Sequence, residues 1–99
     1  MTTYFVTRHP GAVDWAATEG LIVDIQAAHL DPQIIQAGDT VIGTLPIHLA
    51  AQVCARGGRY LHLSMEIPEE ARGRELTVAD LRQFGARLEA YQVIPASTD

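Results

Sequence analysis

The sequence has no lysine, a single cysteine and no long apolar run, and each shortage excludes a class of protein. One cysteine, Cys54, allows neither an internal disulfide nor a cysteine-based metal cage. No apolar stretch approaches the ~18 residues that a membrane-spanning helix needs. The opening residues Met1-Thr2-Thr3-Tyr4 lack the basic and apolar regions of a signal peptide, so a cytoplasmic location is expected. Basic residues are few: seven arginines face twelve carboxylates, for a formal charge of −5. That balance argues against a basic face for duplex nucleic acid, which depends on neutralising many phosphates. Neither GxxxxGK[ST] nor GxGxxG occurs, so ordinary nucleoside triphosphate and dinucleotide use have no motif behind them. The four histidines are scattered without HExxH or His-x-Asp spacing, so neither a dedicated metal site nor a cofactor is expected.

What is present suits one small globular domain. Ninety-nine residues, 47% of them hydrophobic, can build a single core. A domain of this size hides only ~60–70% of its unfolded surface, so a second subunit would add stability. Residues 1–94 are expected to form the domain and 95–99 a frayed tail.

Short apolar runs alternate with helical patterns. Thr3-Tyr4-Phe5-Val6-Thr7 reads as a buried strand, followed by a helix over 12–19 with Gly20 just past its end. Leu21-Ile22-Val23-Asp24-Ile25 reads as a second buried strand, and Asp31-Pro32 opens a short helix through Gln36. Thr40-Val41-Ile42-Gly43 is a third strand, with a helix from Thr44 to about Arg56 and a stop at Gly57-Gly58. Arg59 to Ser64 forms a fourth, placing Tyr60, His62 and Ser64 on one face. A charged loop over 66–75 is expected to be solvated, or to act as a flap whose arginines reach a ligand. Thr77 and Asp80 resemble a capping box, and Leu81, Phe84, Leu88 and Tyr91 follow at helical spacing. Val93-Ile94 can add a short edge strand. Trp15 is expected against the sheet or a partner subunit, and Cys54 as a small buried thiol.

Alternating strands and helices predict an α/β, Rossmann-like domain, a mainly parallel sheet with helices on both faces. Right-handed crossovers give the order 2-1-3-4, which makes strands 1 and 3 neighbours whose connections leave in opposite directions. Ligands bind at such a switch point, at the carboxyl ends of the strands. Two loops belong there: Arg8-His9-Pro10-Gly11 and Gly43-Thr44-Leu45-Pro46.

Each loop carries anion chemistry. Arg8 offers a fork of donors suited to phosphate, and His9 exchanges a proton near neutral pH. Thr7 adds a hydroxyl, Pro10 belongs to the turn that leads into the helix, and Gly11 allows close backbone approach at the helix's positive end. Gly43, Thr44, Leu45 and Pro46 repeat the design, with His48 in the first turn of the next helix. A bland reading competes at each point: a turn with a paired arginine, a well-capped helix, a solvated histidine on a stripe with Gln52 and Arg56. Ser64, Met65 and Glu66 end the fourth strand and can form the crevice wall, though no base stands beside Ser64. His29 and His62 read as structural.

Three stretches carry a resemblance: residues Tyr4 to Ala12 (YFVTRHPGA), Asp39 to Ala50 (DTVIGTLPIHLA) and Arg59 to Leu63 (RYLHL). Together they resemble the Csx-type ring nucleases, a small CRISPR-associated family of type III systems with a Rossmann-like fold. The resemblance covers most of residues 3–91; serine often stands in the family where this chain has Thr7, and the hydroxyl is kept. It implies a homodimer that binds cyclic oligoadenylate, most often the tetra-adenylate, and cleaves it to linear products without a metal ion. A ribose 2′-hydroxyl attacks the adjacent phosphodiester, leaving a 2′,3′-cyclic phosphate and a free 5′-hydroxyl. On this reading Arg8 and the first helix stabilise charge, His9 is the general acid, and Thr7, Pro10, Gly11, Gly43, Thr44, Leu45, Pro46, His48 and Ser64 surround the ring.

Other classes fit some of these residues. A dimeric sensor or sponge would bind the ring without cutting it. A phosphatase of the Arg-His-Gly class also places Arg-His after its first strand, but here proline replaces the glycine and the chain is much shorter. A purely structural subunit would show no effect of nucleotide on its melting temperature.

Overall fold

The computed structural model describes residues 1–97; residues 98 and 99, the end of the expected tail, lie outside the described residues. The chain runs β1 (Thr3–Val6), α1 (Pro10–Thr18), β2 (Ile25–Ala27), a 3-10 turn at Pro32–Ile34, β3 (Thr40–Gly43), α2 (Ile47–Ala55), β4 (Arg59–Ser64), a second 3-10 turn at Glu69–Ala71, α3 (Val78–Gln83) and β5 (Arg87–Tyr91). These form one five-stranded sheet in the order β2-β1-β3-β4-β5. The first four strands are parallel and β5 pairs antiparallel with β4. The α/β class and the 2-1-3-4 core of the order are as the sequence predicts.

Side-chain alternation along the strands builds a core on each face. Phe5, Ile42 and Leu63 meet Ala12, Trp15 and Ala16 of α1 and Leu81 of α3. Trp15, 3% exposed, belongs to this layer of the chain's own core. On the other face Tyr4, Val6 and Val41 pack with Ile35 and with Val53 of α2. β1 and β3 are covered on both sides, which is why their sequences read as continuous apolar runs rather than alternating ones.

Two expectations fail for identifiable reasons. The helical spacing of Leu81, Phe84, Leu88 and Tyr91 predicts a helix reaching 91, but α3 stops at Gln83. Gly85 takes a φ of 73°, its N–H bonds the Arg82 carbonyl at 3.2 Å, and Ala86 N–H bonds the Leu81 carbonyl at 2.9 Å. This pair of bonds is a Schellman closure, and only glycine holds that backbone without cost. Leu88 and Tyr91 therefore lie on β5, and the extra edge strand is residues 87–91 rather than 93–94. The same closure at the end of α1 joins Gly20 to Ala17 and Leu21 to Ala16. It turns Leu21 inward, so Leu21 and Val23 pack on the core as connection while Ile22 is exposed. β1 begins at Thr3 and its Tyr4 pairs with Ile25, so residues 21–23 have no strand beside them. The second strand is thus the short, largely exposed Ile25–Ala27.

Smaller shifts follow from capping. α1 begins at Pro10 rather than 12, and α2 begins at Ile47 with Pro46, not Thr44, in the cap position. Asp31 caps a single 3-10 turn, accepting the Gln33 N–H at 3.0 Å. Thr77 and Asp80 form the expected reciprocal capping box. Among the described residues no helix is long and apolar enough to cross a membrane.

Candidate functional site

The tips of β2, β1 and β3 stand side by side, and the loops leaving them enclose a cleft of about 290 Å³. Val6, Leu30, Leu45 and Leu49 line it with apolar surface; Thr7, Arg8, His9, His29 and Thr44 supply its polar groups. Among the described residues no carboxylate lines it. On the α1 side a trough of about 490 Å³ shares Thr7, Arg8 and His9 and adds Pro10, Asp14 and Gln26. A third hollow, of about 480 Å³, joins His9 to the 71–76 loop. His9 stands where all three meet.

The Arg8 loop is shaped by its own backbone and by β2. Thr7 Oγ1 accepts the His9 N–H at 3.1 Å, and Gln26 Nε2 donates to the Thr7 carbonyl at 3.1 Å. His9 caps α1 through its backbone alone and no first-turn residue is acidic, so its ring is free for other work. Arg8, His9 and His29 are exposed, and among the described residues none has a side-chain hydrogen bond or ion pair.

The facing loop is held by a residue that sequence reading did not single out. Tyr60 is 4% exposed. Its phenolic oxygen accepts the Leu45 N–H at 2.9 Å, lies 3.1 Å from the Gly43 carbonyl and 2.7 Å from His62 Nδ1. The hydroxyl has one proton. All these groups are satisfied when it goes to the Gly43 carbonyl and His62 carries its proton on Nδ1, so the network assigns that tautomer. Burial pushes the phenol's pKa up, against the opposing effect of the Leu45 amide, so the hydroxyl keeps its proton at neutral pH. Both peptide groups flanking Thr44 are thereby tied to β4. A polar tip on an otherwise apolar ring, two residues before His62, was the only sequence signal for this clamp.

The glycines of the two loops serve packing instead of a ligand. A Cβ on buried Gly11 would overlap the Leu76 carbonyl oxygen, and one on Gly43 would lie 2.6 Å from the Val6 carbonyl oxygen. The close approach expected of them is made by neighbouring backbone. This also weakens α1 as an anion cradle: Pro10 has no N–H, Ala12 N–H bonds the His9 carbonyl at 3.0 Å, and Gly11 is covered. α2 is better placed. Its cap residue Pro46 lines the cleft, its first turn has no acidic residue, and the Ile47 and His48 amides have no acceptor among the described residues.

Of the residues predicted to surround a ligand, Thr7, Arg8, His9, Thr44, Leu45 and Pro46 line the cleft, and Pro10 lines the trough. Four do not join them: Gly11 and Gly43, which pack against neighbouring backbone, and His48 and Ser64. The His48 side chain lines an apolar groove with Ile47, Ala51 and Val93–Ala96. Ser64 pairs across the sheet with Arg87 on β5, and Glu66, next to it in the expected crevice wall, is held by Arg87 at 3.0 Å. His29, read from sequence as structural, lines the cleft. In the charged loop Arg74 makes a two-pronged pair with Asp80, at 2.8 and 3.3 Å, and Ala71 is buried, so Arg74 is engaged within the chain. Cys54 is a half-buried free thiol whose Sγ accepts the Val93 N–H at 3.4 Å. Among the described residues no group of three or more His, Cys, Asp or Glu side chains is placed to hold a metal ion.

A family model described as "Putative CRISPR-associated protein (Cas_VVA1548)" matches residues 4–94. No curated protein and no solved structure matches the chain.

Proposed function

The chain belongs to the Cas_VVA1548 family, and on that premise we propose that it is a ring nuclease that cleaves cyclic oligoadenylate, foremost the tetra-adenylate, and so ends type III CRISPR signalling. The observation that carries this reading is the meeting of Arg8, His9 and Thr44 in one cleft that, among the described residues, no carboxylate lines. In a protein of net charge −5, such a site favours an anionic ligand locally. Its apolar residues suit the face of a base, and its polar groups suit ribose and phosphate. A single cleft of about 290 Å³ is small even for a drug-sized ligand. A four-nucleotide ring would therefore lie across two copies related by a two-fold axis, in keeping with the homodimer that the resemblance implies.

The chemistry needs the 2′-oxygen, phosphorus and leaving 5′-oxygen in line, with the developing charge stabilised. Arg8 and the Ile47 and His48 amides of α2 supply that stabilisation; one such donor contributes ~3 kcal/mol to transition-state binding. His9 protonates the leaving oxygen, worth ~10²–10⁴-fold in rate. Thr44, fixed by Tyr60, positions the ribose–phosphate edge.

Incubating the protein with cyclic tetra-adenylate in EDTA and separating products by chromatography tests the reading. Linear products ending in a 2′,3′-cyclic phosphate are expected. An intact ring after prolonged excess of protein would overturn the nuclease reading, and a ring bound but uncut would make the chain a binder.

A further inference from the structure

We propose that His29 is the cleft's second proton-transfer residue and acts as the general base that removes the 2′-hydroxyl proton while His9 protonates the leaving oxygen; this rests on the ring-nuclease reading. Cleavage by an internal 2′-hydroxyl moves one proton from the 2′-oxygen to the 5′-oxygen. It therefore calls for two groups on opposite sides of phosphorus, and His9 can fill only one role at a time.

The fold brings a second candidate to the right edge. β1 and β2 pair in parallel with Val6 opposite Ala27. Arg8 is two residues beyond Val6 and His29 two beyond Ala27, so the two loops leave adjacent strand tips side by side. Both loops line the same cleft, with Thr44 on its third side. His29 is exposed and its ring makes no hydrogen bond or ion pair among the described residues, unlike His62, which is held by Tyr60. Other charged groups nearby are Arg8 in the cleft and Asp14 in the trough beyond it; Asp31 accepts the Gln33 N–H through one oxygen. Histidine is the side chain whose ordinary titration spans neutrality, so a pair can hold one neutral base and one charged acid together.

The step balances as follows. His29 takes the proton from the 2′-oxygen, the 2′-oxygen–phosphorus bond forms, the phosphorus–5′-oxygen bond breaks, and protonated His9 delivers its proton to the 5′-oxygen. The products are the 2′,3′-cyclic phosphate and the 5′-hydroxyl, and exchange with water resets both rings.

The test is the rate of cyclic tetra-adenylate cleavage in EDTA as a function of pH, with ring affinity measured separately by calorimetry. Wild type should give a bell-shaped profile. His29→Ala should bind the ring with nearly unchanged affinity, lose ~10²–10⁴-fold in turnover, and lose the acidic limb, the one set by the base. Added imidazole should restore part of its rate, and His29→Gln, as a folded control, should stay slow. Wild-type cleavage with His29→Ala retaining the full rate and both limbs would overturn the role of His29 and leave the nuclease reading standing. A wild type that binds the ring and never cuts it would overturn both.

Discussion

The hydroxyl of Tyr60 and the amide of Leu45 are 2.9 Å apart, although the residues are separated by a helix and a strand boundary. Through this contact and its 3.1 Å approach to the Gly43 carbonyl, Tyr60 sets the conformation around Thr44 from beneath. Tyr60→Phe keeps the ring and leaves two backbone groups without their partner. Of the two contacts only that to the Gly43 carbonyl is fully buried, and a buried group left so costs ~1–3 kcal/mol. Denaturant unfolding should show a loss in that range, and hydrogen exchange at the Leu45 amide should quicken well beyond the global change.

Arg8 has no partner among the described residues, so its loss should spare the fold. Arg8→Ala is expected to melt within about 4 °C of wild type, since exposed substitutions of this kind usually stay within ±0.5 kcal/mol. Cleavage of cyclic tetra-adenylate should fall at least ~100-fold. His9→Ala should slow turnover with a smaller effect on ring affinity. Steady-state kinetics beside thermal melts check both variants.

Gly11 is a packing requirement. Replacing glycine by alanine inside a helix normally stabilises it by up to ~1 kcal/mol. Here the added methyl would overlap the Leu76 carbonyl oxygen, where α1 meets the segment leading into α3. Gly11→Ala should instead destabilise by ~1–3 kcal/mol, as overpacked cores do. Equilibrium unfolding decides the sign.

Asp80 ties the capping box of α3 to the charged loop. Its pairing with Arg74, and next its bond from the Thr77 N–H, lower its pKa from 3.8 to about 2. A carboxylate depressed by folding contributes stability that is present above its unfolded value and is lost as pH falls through the folded one. Stability should therefore drop between about pH 4 and pH 2, and Asp80→Asn should lower the neutral-pH melting temperature while flattening that part of the curve. Thermal melts across this acid range measure both effects.

The fold was legible wherever local pattern and tertiary partner agree. β3 and β4 lie where their apolar runs are because each is flanked by strands along its length. The run at 21–25 failed because strand formation needs a neighbour, and β1 starts too late to provide one. The spacing from Leu81 to Tyr91 fits a helix, yet Gly85 and the edge of β4 outweigh it. At the site, the Arg8 and Thr44 loops follow from strand order alone, since the switch point is a property of topology. His29 is hidden because the apolar run at 21–25 points to a strand that ends before the true tip at Ala27, which takes its loop away from the cleft. The Tyr60 clamp was hidden because its partners are backbone atoms, which leave no trace in a pattern of side chains. Gly11 and Gly43 were visible as special positions, but their reason, a neighbouring carbonyl, is visible only in three dimensions.

The most direct test is to titrate cyclic tetra-adenylate into isotopically labelled protein and map the amide shifts by NMR. The largest shifts should fall on residues 7–9, 28–30 and 44–49, and should vanish in Arg8→Ala. Shifts concentrated along the groove between α2 and residues 93–96, or none at all, would contradict the strand-tip site.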